Sequence, residues 1–184
     1  LMSARTSIGP DIRNVEVTLK RAVVRFDVYN EKPDTYDIVS VSIWNAAAHT
    51  PVWEGTAVKR EHVERFYGVI TEHVDPSDPE SQMKDVVGGL YSFENFIDRS
   101  ALDDKVTTCL ILGIQPRENS GIANPGIVTY YRVNINSQDG GSQNLYRNHV
   151  YKLKVQDVLG PGAVDERDAW TMNKNNLLYN VNVW

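Results

Sequence analysis

The stretch NLYRNHVYKLKVQDVLGPG, residues 144–162, decides how this chain is read. Tyr151, Leu153 and Val155 alternate with Lys152 and Lys154, the period of two expected of a half-buried strand. Arg147, Asn148 and His149 lead into it as a turn. Gly160-Pro161-Gly162 ends it, because proline cannot donate to a strand ladder and glycine frees the backbone to bend. Taken alone, the segment reads as a late strand of a β-sandwich.

Working outward, six more segments have strand length and pattern: 15–29, 36–46, 88–96, 106–115, 127–136 and 177–183. In the first, Val15, Val17 and Leu19 share one parity, whereas Ala22, Val24, Phe26 and Val28 share the other. A single strand keeps both sets inward only by inserting one residue, so a bulge is expected near Lys20-Arg21. In the second, Val39, Val41 and Ile43 fall on one side. Residues 106–115 are almost continuously apolar, which suits a central strand covered on both faces. Residues 127–136 place Ile127, Tyr131, Val133 and Ile135 together, and Asp139-Gly140-Gly141 supplies a turn after them. In the last segment Leu177, Tyr179, Val181 and Val183 alternate with Leu178, Asn180 and Asn182.

One helix is expected, over 56–70, where Val63, Phe66, Tyr67 and Ile70 follow the spacing of a buried stripe. A polar connection follows over 72–85. Many strands, turn signals between them and one short helix predict an all-β, two-sheet sandwich of about seven strands.

The bulk properties narrow the function classes. A chain of 184 residues supports one domain with a full core. Its net charge of −5 argues against nucleic acid and against an anionic membrane surface as partners. No apolar run approaches the ~18 residues of a membrane-spanning helix. Cys109, the single cysteine, sits among Thr107, Thr108, Leu110 and Ile111 and reads as a buried structural thiol.

Catalytic and metal signatures do not surface. His49, His62, His73 and His149 occupy unrelated contexts, with no HExxH, CxxC or paired spacing. No nucleophile elbow, P-loop or dinucleotide fingerprint occurs, so no cofactor is expected. Asp75, Asp78, Glu80 and Asp85 cluster without the spacing of a calcium loop, and a solvated acidic loop accounts for them. Trp53 and Trp170 fall in expected loops and are the aromatic side chains to watch for ligand contact.

Three stretches together resemble the Bacteroidales fimbrillins, the FimA/Mfa-like subunits of surface pili. The first is Leu19, Arg21, Ala22, Val23, Val24, Arg25 and Val28. The second is the aromatic strand Tyr91, Phe93, Glu94 and Asn95, which lacks the proline that commonly precedes the Glu-Asn pair in relatives. The third, and the most specific, is Arg147, Asn148, Tyr151, Leu153, Val155, Val158, Gly160 and Gly162. Met2-Ser3-Ala4 fits the short piece that joins the first domain of such proteins to the second.

The resemblance implies a transthyretin-like sandwich over 15–184, preceded by an interdomain linker or N-terminal extension over 1–14. It implies the second domain of an exported, lipoprotein-derived subunit of a fimbria, located at the cell surface and associated with the outer membrane. Its partners would be other fimbrial subunits, met by strand donation between neighbours. The donated or subunit-contacting strand would be Leu177, Tyr179, Val181, Val183 and Trp184; its simply closing its own sheet is equally open. A surface adhesin or tip module that binds glycan or host protein is the alternative. A glycoside hydrolase would need two converging carboxylates, and the spacing shows none.

Overall fold

In the computed structural model, the described residues are 2–4, 6, 17–50, 66–67, 84–95, 107–118, 120–135, 144–172 and 176–184. They form an all-β sandwich with one short helix. The strands are β1 (Met2–Ser3), β2 (Lys20–Arg21), β3 (Val23–Asn30), β4 (Tyr36–Trp44), β5 (Phe66–Tyr67), β6 (Lys84–Phe93), β7 (Cys109–Pro116), β8 (Thr129–Asn134), β9 (Val150–Val158) and β10 (Leu177–Val183). The helix α1 (Glu166–Met172) lies between β9 and β10.

Two four-stranded sheets face each other. One has the order β10-β9-β3-β6 and the other β5-β4-β7-β8. All pairings are antiparallel except β3 with β9, which run parallel. Alternation fills the space between the sheets. Val24, Phe26 and Val28 come from β3, and Tyr151, Leu153 and Val155 from β9. Leu110, Leu112 and Ile114 of β7 meet them from the opposite sheet. Burying each such side chain contributes about 1.5–3 kcal/mol.

The central-strand reading of 106–115 holds for β7, whose residues from Cys109 to Ile114 are all buried. Its second face is covered by α1: Cys109 and Ile111 pack with Ala163 and Ala169, flanked by Trp44, Tyr130 and Trp170. Asp165 caps the helix, its carboxylate accepting the Asp168 amide at 2.8 Å.

Three expectations on strand parity are corrected. The chain does not bulge within one long strand at Lys20-Arg21. It bends at Ala22 and changes partner, so that Lys20 and Arg21 pair with β1 while β3 pairs with β6 and β9. Val17 and Leu19 are exposed as a result. In β4 the register shifts between Ile38 and Ser40, so Ile38, Val41 and Ile43 point inward and Val39 points out. Ile127 precedes β8 and is exposed, whereas Tyr131, Val133 and Ile135 are buried as expected.

The expected helix over 56–70 is contradicted at its two described residues. Within 56–70 only Phe66 and Tyr67 are described, and they form a strand paired with Ser42 and Ile43 of β4. The one helix among the described residues is at 166–172, where a loop was expected for Trp170. The polar connection expected over 72–85 is shorter than expected, since Lys84 and Asp85 already belong to β6. Its residues 72–83, the turn at Asp139-Gly140-Gly141, and Trp53, His62 and His73 lie outside the described residues.

Candidate assembly edge

Strand β10 forms one edge of its sheet, with β9 as its only strand neighbour among the described residues. Its pairing with β9 is continuous from Leu177 opposite Val158 to Val183 opposite Tyr151, with one irregularity between Leu178 and Tyr179. The pairing runs on past the strand: Trp184 and Val150 exchange both main-chain bonds, at 2.8 and 2.9 Å.

The sequence-selected residues divide cleanly by face. Leu177, Tyr179, Val181 and Val183 point to the core; Leu177 is buried, while the other three are partly covered and pack against the main cluster. The Tyr179 hydroxyl donates to the Asn134 carbonyl at 3.3 Å and accepts its amide at 3.2 Å, which ties the two sheets together. Burial of this phenol pushes its pKa up. Trp184 lies on the opposite face and is 70% exposed, with the Lys152 Nζ 4.9 Å from its ring centroid. Leu178 shares that outer face and is exposed.

Trp170 stands apart from this edge. It is on α1 and stacks on Trp44 at 5.6 Å between centroids, and its carbonyl accepts a bond from Arg132 at 2.8 Å. The partly buried indole therefore helps to close the outer layer over β7.

The polar residues of the resemblance motifs meet inside the molecule, a relationship that spacing alone did not reveal. The Arg147 Nε donates to Glu94 Oε2 at 2.8 Å, and Nη2 donates to Oε1 of the same carboxylate. Thr50 lies between them, accepting from Arg147 at 3.1 Å and donating to Glu94 at 3.2 Å. Next to this pair, the Asn95 amide donates to Thr108 Oγ1 at 2.7 Å, and Thr108 donates to the Asn45 carbonyl at 2.8 Å. Asn95 and Leu145 also exchange main-chain bonds. Apart from Asn95 Oδ1, which is buried with no hydrogen-bond partner, these groups satisfy one another, and they fasten the ends of β6 and the turn before β9 to the start of β7.

The pocket chemistry is apolar. A cavity of about 240 Å³ is lined by Val23, Ala46, Ala47, Ala48, Tyr91, Ser92 and Phe93. Among the described residues no three metal-binding side chains gather. Cys109 is fully buried. No described helix is long and apolar enough to cross a membrane.

No family model and no curated protein matches the chain. Solved structures do. The tip fimbrial protein Mfa3 from Porphyromonas gingivalis superposes with a TM-score of 0.52 at 13% identity, over 90% of this chain and 52% of that one. A candidate cell-adhesion protein from Parabacteroides distasonis superposes with a TM-score of 0.51 at 18% identity, over 91% of this chain and 52% of that one. The chain thus spans about half the length of each, and it has the fold found in these fimbrial and adhesion proteins.

Proposed function

We propose that this chain is a domain of a structural or accessory subunit of a bacterial cell-surface fimbria. The observation that carries the reading is the superposition of nine-tenths of the chain on a fimbrial tip protein. The internal chemistry supports it: the buried Arg147, Glu94, Asn95 and Thr108 are bonded to one another as framework, and the apolar cavity offers no pair of converging carboxylates. A non-enzymatic role at the cell surface follows from this reading.

In such a subunit, residues 15–184 form the second of two domains, joined to the first through 1–14. The partners are other fimbrial subunits, met by strand pairing at sheet edges, where unpaired main-chain groups template an added strand. Donation of β10 itself requires the strand to leave β9 first. Outer-membrane association and export as a lipoprotein belong to the same reading.

A second reading, an adhesive tip module for glycan or host protein, draws on the two neighbours, one a tip protein and one a candidate adhesion protein. Trp53 and Trp170 are its candidate contacts. A glycan array probed with the chain, and with its Trp170→Ala variant, tests it.

Immunogold electron microscopy with antibodies to this chain tests the main reading. Gold along or at the ends of surface filaments is expected; gold confined to the cytoplasm overturns it.

A further inference from the structure

Alternation turns one side of each strand in the sheet β10-β9-β3-β6 to the core and the other to water. Register brings the water-facing side chains into rows. Trp184 exchanges main-chain bonds with Val150, Val150 lies opposite Arg25, and Arg25 lies opposite Tyr91. Trp184 and Tyr91 are therefore in one row across the sheet, three strand spacings or roughly 14 Å apart. They are 70% and 48% exposed. Between them Arg25 donates to Asp27 at 2.8 Å. Lys152 lies opposite Asp27, with its Nζ 4.9 Å from the Trp184 ring centroid and 6.0 Å from that of Tyr29.

A single exposed aromatic side chain is ordinary. Here two of them frame a strip of charged and amide groups, and the lysine over the indole helps to hold it in place. Neither ring packs in the core, so core packing does not account for their placement.

We propose that this face binds an oligosaccharide that carries a carboxylate, laid across the strands from Trp184 to Tyr91. The negatively polarised face of an aromatic ring attracts the C–H groups of a sugar ring. Asn182 and Asn180 are exposed on the same face, opposite Lys152 and Lys154, and offer amide donors and acceptors to hydroxyls. Charge selects the acidic members of the class. Asp27 and Asp157 are ion-paired with Arg25 and Lys32, so Lys152 and Lys154 make the described side chains of these strands net positive on this side. An ammonium and a carboxylate form one of the stronger hydrogen bonds. A polyanion as dense as nucleic acid is opposed by the chain's net charge of −5; a sugar with one carboxylate is opposed far less. The inference rests on the adhesive reading, and it moves the contact from Trp170, which lies over the other sheet, to this face.

Two probes separate the sources of such a sugar. One is an oligogalacturonate, whose acids are internal, and the other is sialyllactose, whose acid is terminal. Their neutral counterparts are the methyl ester and lactose. Isothermal titration calorimetry of the wild-type chain is expected to detect at least one acidic probe and to find its neutral counterpart at least tenfold weaker. Trp184→Ala and Tyr91→Ala, each checked for unchanged thermal unfolding, are expected to weaken that probe at least tenfold. Lys152→Gln is expected to erase the preference for the acid, and Trp170→Phe to change nothing. On the wild-type chain, NMR is expected to show the probe shifting the Trp184 indole N–H and amides of β3 and β9.

Shifts confined to α1, or binding that survives the loss of both Trp184 and Tyr91, overturn the inference alone and leave the adhesive reading standing. So does a chain that ignores both acidic probes and binds other glycans. A chain that binds no glycan at all overturns both.

Discussion

Arg147 and Glu94 are 53 residues apart in the chain and form a two-bonded ion pair in the interior, each side chain about 1% exposed. Their charges are removed from water, so the pair holds only because the geometry is complete and Thr50 bonds to both. Removing one partner strands the other. Glu94→Gln and Arg147→Ala are each expected to lower stability by about 3–5 kcal/mol, read from urea unfolding. Replacing both with apolar residues of similar size is expected to cost much less than the sum. Additive losses would show that the two groups do not act as a pair.

Gly162 is required by space. A Cβ there would lie 2.8 Å from the Thr129 Cβ and 2.8 Å from the Tyr131 ring. Tyr131 cannot easily retreat, since its hydroxyl donates to the Gly160 carbonyl at 3.0 Å. Gly162→Ala is expected to cost about 1–3 kcal/mol through overpacking. Gly160→Ala meets only the Asn176 side chain, at 3.2 Å, and is expected to cost less. Thermal unfolding of the two variants checks the order.

Burial pushes the Cys109 thiol from 9.0 up to about 12. In the native protein it stays protonated and unreactive through neutral pH. A chromogenic disulfide reagent at pH 8 is expected to find no accessible thiol in the folded chain and one after denaturation. Because the folded value is raised, the unfolded chain releases this proton first. The associated stability is full below pH 9 and falls as the pH climbs towards 12.

Tyr36 is fully buried in the core, its hydroxyl donating to the Val155 carbonyl at 3.1 Å, and burial pushes its pKa up. The sign is the same as for Cys109. This contribution is present below pH ~10, where the unfolded phenol titrates, and is lost above it. Tyr36→Phe is expected to cost about 0.5–1.5 kcal/mol at pH 7 and to flatten the alkaline limb of the stability curve. An unchanged alkaline limb would mean that Tyr36 does not govern it.

Period-two alternation made β9 and β10 legible, because each keeps one parity along its core-facing side. β7 was legible for the opposite reason, an unbroken apolar run between two covering layers. Parity failed where the backbone departs from regular pairing. Val39 faces out because the register slips beside it, and Ile127 because it lies outside β8. A bulge marks the hydrophobic pattern only as a change of parity, and with Ile38 and Val39 both apolar the pattern does not say which of the two points inward.

The helix at 166–172 eluded periodicity because seven residues make only two turns. Its one local signal was the Asp165 cap, which is bonded to the Asp168 amide. On the candidate edge, the alternation of Leu177, Tyr179, Val181 and Val183 was visible in the sequence. The pairing of Arg147 with Glu94 was not, because contact between distant segments is set by sheet topology and not by spacing.

The most direct measurement of the central claim is made on filaments sheared from the surface of cells that produce this chain, analysed by mass spectrometry. Peptides spanning β3, β9 and β10 are expected in the filament fraction, and deletion of the gene is expected to remove, shorten or uncap those filaments. Filaments free of these peptides and unchanged by the deletion would contradict the fimbrial reading.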